Sequence, residues 1–257
     1  MRLPSTPREV LHAIRSSTEE PFTALRHASE SARALHPPDN ALPTTLPAFV
    51  LPSSTLMPGE RGEFIFFEPR YRALAKQVLG LSGAPSREPP DGRYAHLAES
   101  DGIGTLASIL DHTQLPDGRV AARMLAGPRC RVTKAARIEV VEEGAAPLLH
   151  VTYGLVNDDP SEHPAADAEL ARECIEELSA LVPISKLSAI NTNAPPLFSP
   201  ERLSFWLCGV MIRPDDASSR MAWLKEQNTL KRLAFVRRAL QKARDHRDAN
   251  ETDNRKR

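Results

Sequence analysis

The chain has 257 residues, 41% of them hydrophobic, and its 33 basic side chains are balanced by 33 acidic ones. That length and apolar content bury a sizeable core in one large or two small domains, while a zero net charge supplies no global field toward nucleic acid or an anionic membrane. No apolar run approaches the roughly 20 residues that span a bilayer, and Cys130, Cys174 and Cys208 show neither zinc-site pairing nor the density of a disulfide scaffold.

The cysteines therefore read as buried free thiols of a reducing compartment. The N-terminus lacks the apolar core of a secretory signal, so the expected location is the cytoplasm. Residues 1–44 mix Ser, Pro, Glu and Arg with few apolar positions and are expected to be a partly disordered extension.

The stretch from Leu46 to Leu74 organises the rest. Pro58-Gly59 signals a turn, and Phe64, Ile65, Phe66 and Phe67 after it read as a strand entering the core. Pro69 suits the first position of a helix, because the amide proton it lacks is one that the first turn leaves unpaired; Glu68 is then the cap. Tyr71, Leu74 and Val78 share one face of that helix, and Gly80 is placed to close it.

After a Gly, Ser and Pro-rich loop over 81–91, alternation at Tyr94, His96 and Ala98 predicts a strand. Ile103 to Ile109 reads as another. Leu115-Pro116-Asp117-Gly118-Arg119 supplies the Asp-Gly turn of a tight hairpin, and the returning strand runs to Ala126, where Gly127-Pro128 is expected to end it. Arg129 to Val140 and Leu148 to Leu155 complete the β-rich part.

Beyond a polar, proline-bearing boundary at 157–164, the pattern turns helical. Leu170, Ala171, Cys174, Ile175, Leu178, Leu181 and Val182 form one apolar stripe, opposite Glu169, Arg172, Glu173, Glu176 and Glu177. Ser199-Pro200 opens a helix through Leu203, Trp206, Leu207 and Val210. Two more are predicted at about 217–226 and 229–243, the last with Leu230, Leu233, Val236 and Leu240 inward. The mixed-charge tail from 245 to 257 has too few apolar side chains to offset its ordering entropy and is expected to be disordered.

Leu46-Pro47, Leu51-Pro52, Pro58-Gly59 and Phe67 to Arg72 resemble, in order, the signature of the Lon protease N-terminal domain, the substrate-binding domain of that family. A second block is similar to the same family: Gly104-Thr105, Ala107 and Ile109, then Leu115 to Arg119, then Gly127 and Arg129 to Val132. Cys130 departs from it, standing where the family usually has a large aromatic. Ser204-Phe205-Trp206 and Arg232-Leu233 add a later match.

The resemblance implies an α+β fold, a PUA-like β-barrel over 45–157 followed by a helical bundle over 165–244. It also implies a binding module for protein or peptide segments, an adaptor in protein quality control or degradation, in a standalone form without ATPase or peptidase modules. The motif residues Pro58, Gly59, Phe67, Glu68, Pro69, Arg70, Tyr71, Arg72, Asp117, Gly118 and Arg119 are expected to be structural, with Arg70 or Arg72 tying the helix to the barrel.

No catalytic, cofactor or metal site is expected. The chain has no GxxxxGK[ST] phosphate loop. Ser185 and Lys186 are sequence neighbours rather than a converging dyad, and the eight histidines lack paired ligand spacing. PUA-like barrels in other families bind RNA, and Lys225, Lys231, Arg232, Arg237, Arg238, Lys242 and Arg244 make the last helices basic; RNA binding is therefore the alternative. Overall neutrality and only 5% aromatic residues argue against it, since few rings are available as stacking platforms. Oligomeric state cannot be read from the sequence.

Overall fold

The computed structural model describes residues 45–81, 92–99, 102–138, 146–182 and 199–255. The predicted extension over 1–44, nearly all of the 81–91 loop, and the Ser185-Lys186 pair lie outside these.

Among the described residues six strands form the β part: β1 (Thr45–Val50), β2 (Arg61–Phe66), β3 (Arg93–Leu97), β4 (Ile103–Gln114), β5 (Val120–Ile138) and β6 (Leu148–Leu155). Their order is β2-β5-β4-β3-β1-β6, and β5 also pairs with β6. The pairing thus runs in a ring from β5 through β4, β3, β1 and β6 back to β5, with β2 added outside it. Only β1 and β3 pair in parallel, and the connection between them carries β2 and helix α1 (Pro69–Val78).

β1 has no counterpart among the strands predicted from sequence, and it carries a proline, Pro47. Pro47 pairs only with His150 of β6; pairing with β3 begins at Ala48. Its missing N–H therefore falls where one side of the strand has no ladder to supply.

β5 is one 19-residue strand rather than two. Its register against β4 shifts between Thr105 and Ala107, so that Gly127 and Pro128 together face Leu106. This bulge accommodates a proline inside a sheet. It also brings backbones close, since a Cβ on Gly127 would lie 2.7 Å from the Leu106 oxygen.

Two apolar clusters fill this unit. One contains Phe49, Phe66, Tyr71, Leu74, Val78, Tyr94, Val120 and Met124; the other contains Leu46, Ala48, Leu97, Leu106, Cys130 and Val151. Cys130 is wholly buried in the second, the smaller packing position that its departure from the family aromatic implies.

Among the described residues the other helices are α2 (Pro164–Leu181), α3 (Pro200–Met211), α4 (Ala217–Lys225) and α5 (Thr229–Arg255). The chain divides into two compact units. The barrel unit takes Pro38–Asn157 together with Pro214–Lys225, and the helical unit takes Asp158–Arg213 with Glu226–Arg257. Helix α4 thus falls in the same unit as the barrel strands. The reason is Arg220: it is 1% exposed, donates to the Thr55 carbonyl at 2.8 Å and pairs with Glu60. Arg129 adds a bond from its guanidinium to the Leu224 carbonyl at 3.1 Å.

In the helical unit, Ala171, Cys174, Ile175 and Leu178 of α2 are buried as their stripe predicts, as are Leu233, Val236 and Leu240 of α5. Leu230 is instead 43% exposed. The tail is helical to Arg255, against the expectation of disorder from 245. Gln241 donates to Asp245 at 2.9 Å, one turn on, and Arg247 donates to the Ala180 carbonyl at the end of α2 at 3.0 Å. Extending an existing helix adds a hydrogen bond for each residue ordered, so no new nucleus is needed.

Candidate functional site

Pro58 is buried and Gly59 has φ of 87°, so only a residue without Cβ turns here at no steric cost. The turn is fixed by bonds from Gly59 N–H to the Ala126 carbonyl (2.8 Å) and from Ala126 N–H to the Glu60 carbonyl (2.9 Å). Glu60 also accepts from the Met57 N–H at 2.9 Å. Its burial pushes the carboxyl pKa up, and the Arg220 guanidinium opposes that shift.

At the strand-to-helix junction, Pro69 opens α1 and Glu68 is its N-cap residue, but the Glu68 carboxylate caps no N–H. It accepts from Arg70 Nε at 2.8 Å, and the Arg70 guanidinium lies 4.5 Å from the centre of the Tyr71 ring. Arg70 therefore braces its own turn rather than reaching across to the barrel. Tyr71 makes that link: it is 4% exposed, its ring meets Phe49 edge-on at 4.5 Å, and its hydroxyl donates to the Val50 carbonyl at 2.7 Å.

Arg72 reaches the β4–β5 turn. A Cβ on Gly118, whose φ is 82°, would lie 3.5 Å from an Arg72 terminal nitrogen. The two motif blocks thus meet in space at this point. Asp117 and Arg119 stay together within the turn: Asp117 accepts from the Arg119 N–H at 3.1 Å and from Nε at 2.6 Å. Those bonds, the backbone one foremost, hold the Asp117 carboxyl below its ordinary pKa.

Phe67 corrects the sequence reading. It lies past the end of β2 and is 64% exposed instead of entering the core. Strand alternation explains this: Phe66 points in at 0% exposure, so Ile65 on its other side points out at 50%. Leu110, 48% exposed, stands where the register of β4 against β5 shifts a second time. The outer side of β2, β5 and β4 accordingly presents apolar side chains beside charged ones. An open depression of about 470 Å³ lies there, with Ile65, Phe64 and Ala121 among its apolar lining and Glu63, Arg123 and Asp111 among its charged lining. Across three strands Glu63 stands opposite Arg123, and Arg123 opposite Asp111; Arg123 Nε to Glu63 is 3.3 Å.

No group of His, Cys, Asp or Glu able to hold a metal ion occurs among the described residues. Burial pushes the Cys130 and Cys174 thiols up to about 12, far from the thiolate that nucleophilic chemistry requires. His96 is 2% exposed; its Nε2 lies 3.2 Å from the Ser54 hydroxyl, and its ring packs near Phe49 and Phe64. That desolvation lowers its pKa to about 4.

Residues 45–242 match the family model of the ATP-dependent protease La (LON) substrate-binding domain. The chain belongs to the LON substrate-binding domain family. The N-terminal domain of a Mycobacterium avium complex Lon protease has a similar fold, with a TM-score of 0.52 at 16% identity, covering 77% of this chain and 98% of that one. A Lon N-terminal domain protein from Xanthomonas campestris also matches, with a TM-score of 0.46 and 18% identity over 76% of this chain and 97% of that one. No curated protein matches the chain.

Within this LON-type domain, sequence reasoning missed the buried arginines as structural centres. Arg232 reads from sequence as part of a family match and of a basic helix, yet it is wholly buried. It pairs with Asp158, donates to Ser204 at 2.8 Å and to the Glu226 carbonyl at 2.6 Å, and stacks 3.8 Å from the Phe205 ring centre. The Ser204-Phe205 and Arg232-Leu233 matches are thus one contact, and their co-occurrence was the signal available. For Arg220, nothing in the sequence distinguishes it from a solvated arginine. The rest of the basic surface is partly neutralised: Arg237 pairs with Glu173 at 3.4 Å, Arg244 with Glu177 at 3.9 Å, and Lys231 with Glu226 at 3.8 Å.

Proposed function

We propose that this LON-type domain is a cytoplasmic binding module that recognises segments of other proteins, without catalysis of its own, and serves as an adaptor in protein quality control or degradation. Membership of a substrate-binding domain family across residues 45–242 carries this reading. The apolar side chains of Ile65, Phe67 and Leu110 on the outer side of the barrel support it, because exposed apolar surface beside charge suits an unfolded segment. The Glu173, Glu177 and Glu226 partners of the basic helices weaken the RNA alternative, since paired cations release fewer counterions on meeting phosphate.

The test is titration of fluorescein-labelled unfolded casein with the purified protein, with and without ATP, read by anisotropy. Saturable binding that is independent of ATP and leaves casein intact supports the proposal. Absence of binding, or casein cleavage that follows the protein peak through repurification, refutes it.

A further inference from the structure

β2 ends the sheet. Among the described residues it pairs with β5 alone, and no backbone bond joins residues 61–67 to any other strand. An unpaired strand edge offers a row of N–H and C=O groups to any extended chain of matching register. Natural edges are commonly blunted by charge, and Arg61 and Glu63 are exposed on this one. The same edge nevertheless carries Ile65 and, just past its end, Phe67, both more than half exposed or at half exposure, which is unfavourable unless something covers them.

The rows that cross the sheet specify what fits next to β2. One reads Asp111, Arg123, Glu63, alternating in sign, so the favourable next side chain is basic. The next reads Thr113, Ala121, Ile65 and continues with an apolar side chain. The third reads Ser108, Leu125, Arg61 and continues with an acidic one. Directly opposed side chains lie close enough for such pairs to select a partner.

Resting on the reading of this domain as a binder of protein segments, we infer that the free edge of β2 takes its client by strand addition. The client is an extended peptide, antiparallel to β2, with the order apolar, apolar, basic, acidic at alternate positions from its N-terminus. These residues face Phe67, Ile65, Glu63 and Arg61 in turn. Main-chain hydrogen bonds supply affinity and the alternate side chains supply selectivity.

The probe is the acetylated, amidated peptide Val-Thr-Val-Thr-Lys-Thr-Asp, fluorescently labelled and titrated with the whole chain. Glu63→Lys weakens it roughly two- to fivefold, the scale of a cross-strand charge pair, and replacing the peptide lysine by glutamate restores the affinity. Both side chains of the pair are exposed, so the variant keeps its fold, checked by its melting temperature. Backbone N-methylation at every second peptide residue abolishes binding in one phase of the alternation and spares it in the other, since only one set of amides faces β2. Equal tolerance of both N-methylated sets overturns strand addition. If unfolded casein still binds while this peptide does not, the edge is not the site although the domain remains a binder; if neither binds, both readings fail. Sedimentation of the protein alone shows a monomer. A dimer that Glu63→Lys dissociates overturns the inference, because the edge is then occupied by a second copy.

Discussion

Replacing Tyr71 by alanine removes the ring that joins α1 to the barrel. The side chain is 4% exposed, packs edge-on against Phe49 at 4.5 Å, and donates its hydroxyl to the Val50 carbonyl at 2.7 Å. An aromatic of this kind buries about 150 to 250 Å², and at about 25 cal/mol per Å² the lost transfer term alone is about 4 to 6 kcal/mol. The bond to Val50 adds about 1 kcal/mol, and partial collapse of the cavity takes some back. The expected loss is about 3 to 5 kcal/mol, a large part of an ordinary domain's stability. Urea denaturation followed by circular dichroism at 25 °C measures it. Tyr71→Phe separates the two contributions, keeping the ring and losing the donor, and should cost about 1 to 2 kcal/mol through the lost bond to the Val50 carbonyl. Lys231, 68% exposed, serves as the control, with Lys231→Ala inside about half a kcal/mol. If Tyr71→Ala unfolds at the parent's midpoint while losing binding to unfolded casein, Tyr71 is a recognition residue and the packing account fails.

Arg232→Met leaves Asp158 and Ser204 in a buried setting without their cation, and should cost about 3 to 5 kcal/mol in the same denaturation; Asp158→Asn in that background should recover part of the loss, and no recovery would mean that the two do not act as a pair. The His96 ring stays neutral in the fold down to about pH 4 but takes a proton near pH 6.5 when unfolded. Between those values the unfolded state binds more protons, so the contribution is present in full above pH 6.5 and is lost as pH falls through the window, by about 3 kcal/mol. His96→Gln should flatten that part of a stability profile, and an unchanged slope would remove His96 as its source. Gly104→Ala puts a Cβ 2.1 Å from the His96 oxygen and should prevent folding or lower the melting temperature sharply, whereas an alanine melting like the parent would show that β3 and β4 can part at this position.

Local signals in the sequence determined most of the elements. Pro69 after a strand started α1, Tyr71, Leu74 and Val78 gave its buried face, Asp117-Gly118 placed the hairpin turn, and Ser199-Pro200 capped α3, with Ser199 accepting from the Arg202 N–H at 3.3 Å. These are effects of a few neighbouring residues, and they act whatever the chain does elsewhere. The motifs also carried the family, because their order along the chain is itself a sequence property.

What tertiary structure alone decided lies wherever a residue's role is set by a partner far along the chain. Gly127-Pro128 reads locally as a stop, but pairing of β5 with β4 turns it into a bulge inside one strand. Phe67 reads as core, yet the strand ends one residue earlier and leaves it outside. Arg220 and Arg232 look like solvated cations, and only contacts with Glu60, 160 positions away, and with Asp158, 74 positions away, make them interior. A charged side chain is buried when its partner arrives with it, and no pattern of nearest neighbours records that arrival.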